Sequence, residues 1–348
     1  LLLRASLRAV RIFGEYPNSP LATLFIRMID KSFRNKVVTG PLTLPIMVVI
    51  ASILWFVFDP ITIWSVGGLA STLFMAYLLM ELNNRNQLLR IRSRMVSCTF
   101  LILSVACTFT HSLSWQMVPA YCLVVSYLLL FNSYQKSRPE GIIFHTFFFL
   151  GLGSLAFPPM LLLPILFYLE MVVQLRSLTW RTFLAGIFGL IIPYWFLAGW
   201  AVWKNQLDTA FLYFLPYFEY QIPDYKSIPL WQYVNFGFLL ALVLLGLIHY
   251  YRTNFNDKIR VRMCFYIFII QELAFIGGMV AYPCFFNYLF PLLLVNSSPL
   301  IAHYFTLAKG RVLMNIWFIF WLVLTFALYC YNSGLLPLEN WLKNLLPL

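Results

Sequence analysis

Apolar residues run along this chain in long unbroken blocks, with no alternation of the kind a half-buried strand or a surface helix shows. Eleven blocks stand out, at 41–58, 61–81, 95–112, 116–132, 142–157, 160–174, 183–203, 232–251, 263–282, 284–305 and 312–331. At a helical rise of about 1.5 Å per residue, blocks of this size match a hydrocarbon core roughly 30 Å thick. The pattern predicts an all-α polytopic integral membrane protein with about eleven transmembrane helices, because lipid requires every backbone polar group to be satisfied within the segment. Barrel strands would alternate apolar and polar residues over about ten positions, and these blocks do not. Blocks 142–157 and 160–174 are the shortest and meet at Pro158-Pro159. They are read as two short crossing helices, with a re-entrant hairpin as the alternative that leaves the parity of later loops unchanged.

The polar intervals give orientation. With the N-terminus cytoplasmic, 21 of the 24 Lys and Arg residues fall on the inside, and only Lys204, Lys226 and Lys343 fall outside. A miscounted span would invert every later loop, so the bias supports the count and the orientation together and puts the C-terminus outside. Before the first block, "LLLRASLRAVRIF" sets Arg4, Arg8 and Arg11 on one helical face, and "SPLATLFIRMIDKSFRNK" opens at Ser19-Pro20 as a helix start does. Both read as interfacial helices, whose basic face either lies on anionic headgroups or only fixes orientation. The organisation expected is a cytoplasmic interfacial segment 1–40, one transmembrane domain 41–331 with an external aromatic loop at 204–231, and an external amphipathic tail 332–348.

Composition agrees. Of 348 residues 61% are hydrophobic and 10% charged, against about 25% charged in an ordinary soluble domain. The net charge of +12 is spread between the blocks, so the expected partner is membrane lipid rather than nucleic acid. The six cysteines lie in or at the ends of apolar blocks without CxxC spacing and read as small hydrophobes. Phosphate-loop, zinc-protease, nucleophile-elbow and dinucleotide signatures do not occur; no metal and no cofactor is expected.

Chemistry is therefore sought in polar groups inside apolar blocks. "IIQELAFIGG", residues 269–278, carries Gln271 and Glu272. Glu272 and Asn296 each lie nine residues from the inner end of their blocks, so both fall near the bilayer midplane, and Asn296, Ser297 or Ser298 is the expected partner of the carboxyl. An ionisable residue at that depth is a candidate substrate-binding or proton-handling group; the competing reading is a neutral carboxyl that packs two helices. Gly277-Gly278 is expected to admit a neighbouring helix closely. A second polar layer nearer the inner end holds Glu81, Asn83, Asn84, His145, Glu170, Gln174, His249 and His303. On the outside, Asp208, Glu219 and Asp224 lie among the aromatics of 204–231, and Asp59 sits at the tip of the first hairpin. These four are candidates for binding an amphipathic ligand, or for catalysis in the case of Asp59.

Three stretches carry a resemblance: "ELNNRNQLLRIRSRM", "GLGSLAFPPMLLLPILFYLEMVVQLRSLTWR" and "GIFGLIIPYWFLAG". They resemble a domain-of-unknown-function family of Bacteroidota polytopic inner-membrane proteins over about a third of the chain. The segment 142–200 is also similar to the membrane core of polyprenyl-phosphate-dependent glycosyltransferases. That likeness implies an enzyme using a lipid-linked sugar, with Asp59 as its acidic residue. The leading expectation is a multi-pass protein of the cell inner membrane that handles or transports a lipid or lipid-linked substrate. Such an enzyme, or a non-catalytic subunit bound to partners in a membrane complex, are the alternatives.

Overall fold

The structure, a computed structural model, describes residues 33–58, 60–218, 223, 225, 228–310 and 312–335. Among them there is no strand. Thirteen α-helices follow in order: α1 (Phe33–Thr39), α2 (Thr43–Phe58), α3 (Ile63–Asn86), α4 (Met95–Ala106), α5 (Val118–Leu130), α6 (Glu140–Ala156), α7 (Leu163–Glu170), α8 (Trp180–Trp203), α9 (Leu207–Phe218), α10 (Leu230–Thr253), α11 (Ile259–Ala281), α12 (Phe286–Leu307) and α13 (Val312–Asn332). The protein is a polytopic helical membrane protein. Segments 1–32 and 336–348, and with them the expected N-terminal amphipathic helices and C-terminal tail, lie outside the described residues.

Every apolar block is helical, and the helices differ in whether their length alone suffices to span. Among the described residues, eight helical stretches are long and apolar enough to cross a bilayer, or nine if α1 and α2, bent by 99°, count as one. Helices α4 and α6 are shorter, at 12 and 17 residues. Helix α6 ends at Phe157 because two prolines follow it and open a 3₁₀ turn, Pro158–Leu162. Helix α4 ends because Cys107 leaves helical geometry, with φ −97° and ψ 76°. The carbonyls freed there are taken up by side chains: Asn332 donates to Ala106 O at 2.7 Å, and a ring nitrogen of His111 lies 3.1 Å from Val105 O. Asn332 in turn exchanges a reciprocal pair of 2.9 Å amide bonds with Asn235. A helix can stop inside an apolar environment only where such partners exist.

Contacts sort the connections into two ends. At one, Arg34 donates to Ala308 O, Lys258 reaches Gln87, Arg260 reaches both Asn86 and Phe131 O, and Gln135 N bonds Leu175 O. This basic end gathers the turns after α1, α3, α5, α7, α10 and α12. At the other end Leu113 N bonds Trp64 O, Tyr213 donates to Ala156 O, Tyr225 donates to Val280 O, and Tyr217 packs on Phe157 and Phe285. The tip of the α6–α7 hairpin therefore lies beside the α11–α12 turn, at the end opposite to Leu175. The aromatic segment expected as a loop at 204–231 is partly helical, since α9 occupies its first half.

Helix α12 is the axis, packed against α4, α5, α10 and α11. Close backbone approach occurs elsewhere than expected. A Cβ on Gly189 would stand 2.3 Å from Phe144 O, and one on Gly151 2.8 Å from Leu190 O, so α6 and α8 touch backbone to backbone. Gly277 has open space around it, and Gly278 meets only the Leu289 side chain at 3.7 Å. The close approach anticipated at Gly277-Gly278 is absent because that face meets no helix backbone among the described residues. Gly189→Ala should lower stability by about 1–3 kcal/mol, as overpacking does, read as a fall in the thermal midpoint in detergent. Gly277→Ala should leave the midpoint level or raise it through better helix propensity.

Candidate functional site

Helix α11 carries Gln271 and Glu272 side by side, and its neighbours take one each. Asn296 on α12 donates through Nδ2 to Glu272 Oε2 at 2.6 Å and to Phe268 O at 2.8 Å. Tyr127 on α5 donates its hydroxyl to Asn296 Oδ1 at 2.7 Å. On the other side, Gln271 Nε2 donates to Glu170 Oε1 at 2.8 Å. Gln271 and Glu272 are consecutive on α11, and the Tyr127 ring stacks on Phe167 of α7, three residues before Glu170. The two chains of bonds thus form one polar cluster drawn from α5, α7, α11 and α12. All five side chains are at 0% exposure.

Local structure accounts for the placement. Asn296 and Glu272 meet because the two helices are joined by the short turn at Pro283–Phe285 and run back to back from it. Glu170 is the last residue of α7, and the chain continues as a π-helical turn, Met171–Leu175. Such turns carry an extra residue and recur at functional sites. The Tyr127 ring is held by Phe131 and Phe167, stacked at 5.6 and 5.9 Å, and by the edge contact with Phe268 at 5.2 Å.

Three acceptors in the cluster, Glu170 Oε2, Gln271 Oε1 and Glu272 Oε1, have no donor among the described residues. No cation among those residues pairs with either carboxyl; the partner of each is a neutral side-chain amide. Burying an ionised carboxylate without a counter-charge is very costly, so this is a setting made for the uncharged acid.

Of the residues singled out from the sequence, Glu272 and Asn296 are brought together. Ser297 and Ser298, the other partners considered, bond instead to Leu294 O on their own helix. Asp208 is exposed in the first turn of α9. Asp59, Glu219 and Asp224 lie outside the described residues. The second polar layer does not form one site. Glu81 pairs with Arg85 at 2.6 Å along the surface of α3, Asn83 donates to Ser93 O, and His145 rests against Phe144. Glu170 joins the core cluster. His249 and His303 do meet, with ring centres 5.5 Å apart, and His303 Nε2 lies 3.3 Å from Asp257 Oδ2.

Asp257, which the sequence did not single out because it stands in a basic connection, is the anchor of that end. Its other oxygen accepts from Arg90 Nε, and Arg90 also donates to Thr253 O at 2.7 Å. Burial pushes the Asp257 carboxyl up, but hydrogen bonds and charge from His303 and Arg90 outweigh it and hold the carboxyl below its ordinary value. No group of three or more His, Cys, Asp and Glu residues is placed to hold a metal, among the described residues.

Compared with protein-family models, with curated proteins and with solved structures, the chain matches none.

Asn296→Leu removes the donor to Glu272 and the acceptor for Tyr127, and should cost about 1–3 kcal/mol per stranded group, measured by thermal unfolding in detergent. Glu272→Gln, close in shape, should cost much less. For Asp257 the lowered folded value means its stabilisation is present at neutral pH and is lost as pH falls through that value, below the ordinary carboxylate range near 3.8. Asp257→Asn should therefore be less stable than the native chain at pH 7, with the gap closing on acidification below about pH 4.

Proposed function

We propose that this protein is a proton-linked membrane carrier of a lipid or lipid-linked substrate, with Glu272 and Glu170 as its proton-exchanging groups. The observation that carries the reading is a pair of carboxyls, wholly buried among membrane-spanning helices, held by neutral partners and each keeping one oxygen without a donor among the described residues. A cluster serving only to bind helices has no use for two acids where amides would be cheaper to bury, and intramembrane acids of this kind mark proton and substrate paths. Asn296 and Tyr127 position Glu272, and Gln271 positions Glu170. In this reading the present arrangement is the closed state, and the cycle opens it to one face at a time.

The same reading takes the basic end as cytoplasmic and all eleven apolar blocks as crossing the cell inner membrane. Supporting it are the concentration of Lys and Arg at the turns of one end and the contacts that hold those turns together.

Infrared difference spectroscopy on proteoliposomes cycled between acidic and alkaline buffer tests it without knowledge of the substrate. Two carboxylic C=O bands should respond to the cycle and exchange in D2O within minutes, one lost in Glu272→Gln and the other in Glu170→Gln. Bands that neither titrate nor exchange over hours would identify a cluster that only joins helices, as in the subunit of a larger assembly.

A further inference from the structure

Between α1, α2, α4 and α13 lies a cleft of about 300 Å³, lined by Phe33, Ala51, Leu54, Ile102, Phe318 and Tyr329 among others. None of the five residues of the core cluster lines it. Its two hydroxyls are already used within the protein: Thr325 donates to Trp321 O at 2.7 Å and Tyr329 to Leu54 O at 2.6 Å. The walls therefore offer a ligand apolar contact and nothing else.

The shape is elongated along the helices. On α4 the lining runs from Met95 to Val105 and on α13 from Phe318 to Tyr329, a length of roughly 15 Å at the helical rise. That is about half of a hydrocarbon core some 30 Å thick, the depth of one leaflet. The cleft begins at the basic end, where α1 turns across its mouth at 99° to α2. Lys36, one helical turn from Phe33 on α1, is exposed, and so is Lys309 in the α12–α13 connection. The Arg34 bond to Ala308 O, 2.7 Å long, ties that connection to α1. Neither lysine has an ion-pair partner among the described residues.

We propose that this cleft is a binding site for one acyl chain of an anionic lipid, whose headgroup lies against Lys36 and Lys309. The chain fills the apolar slot through one leaflet. The two lysines, exposed at the basic end and without an ion-pair partner among the described residues, select the negative headgroup. The site stands independently of the proton-linked carrier reading.

The test uses nanodiscs of phosphatidylcholine doped with phosphatidylglycerol or phosphatidylcholine bearing a diazirine on one acyl chain, followed by peptide mapping after illumination. The phosphatidylglycerol probe should label 101–105 and 322–329 at least several-fold more than the lipid-facing Phe188 and Ile191 on α8. Ile102→Trp should reduce labelling of the cleft to the level of α8 and leave α8 unchanged; Ile50→Trp on the exposed rim does the same if Ile102→Trp does not fold. Lys36→Gln with Lys309→Gln should make the two probes equal. Cleft labelling no greater than that of α8 would overturn the proposal. So would equal labelling by both probes in the native chain, or a cleft cross-linked to residues 1–32 or to a second copy in place of lipid.

Discussion

A hydrocarbon interior supplies no water to a polar atom, so each one carried into it must be met by another part of the chain. Asn296 answers that requirement at the centre of this protein. Its amide gives two hydrogen bonds, to Glu272 and to Phe268 O, and takes one from Tyr127, tying α5, α11 and α12 through a single side chain. The same requirement explains why α4 can stop short. Its last carbonyls are taken up by Asn332 and His111, and Asn332 is itself fixed by Asn235.

Two kinds of carboxyl environment result, and α12 serves both. Asp257, in the connection between α10 and α11, sits between Arg90 and His303 and is stabilised as a charge. Glu272 and Glu170, deep among the helices, are each met by a side-chain amide and by no charged group among the described residues. Asn296 and His303 are seven residues apart on α12, two helical turns and roughly 10 Å, on one face. A displacement of α12 would act on the core cluster and on the Asp257 contact together. The apolar cleft adds a surface bounded by α1, α2, α4 and α13, the one proposed for a lipid chain.

The membrane class and the position of every apolar block were legible from continuous hydrophobicity, and the pairing of Glu272 with Asn296 from counting residues along two adjoining segments. Less legible was anything that depends on how helix ends are staggered. Glu170 lies only a few residues from the end of its block, which places it near the inner surface if depth is measured from that end. Yet it bonds Gln271, twelve residues into α11 from Ile259, because the turn after α7 lies deeper than the start of α11. Tyr127 carries no signal in an apolar run, since only its partner shows that the hydroxyl is used. Asp257 was hidden by its basic neighbours, and the glycines that let helices touch, Gly151 and Gly189, are distinguishable from Gly277 only once the packing is known.

The account turns on whether the sealed carboxyls are reached during a working cycle. Treating the protein in native membranes with dicyclohexylcarbodiimide, which reacts with uncharged carboxyls in apolar surroundings, and mapping the adducts by mass spectrometry examines this directly. The account predicts modification of Glu272 or Glu170, with Asp208 and Glu81 unmodified. Recovery of both core glutamates unmodified after prolonged treatment at a pH where the protein is folded would contradict it.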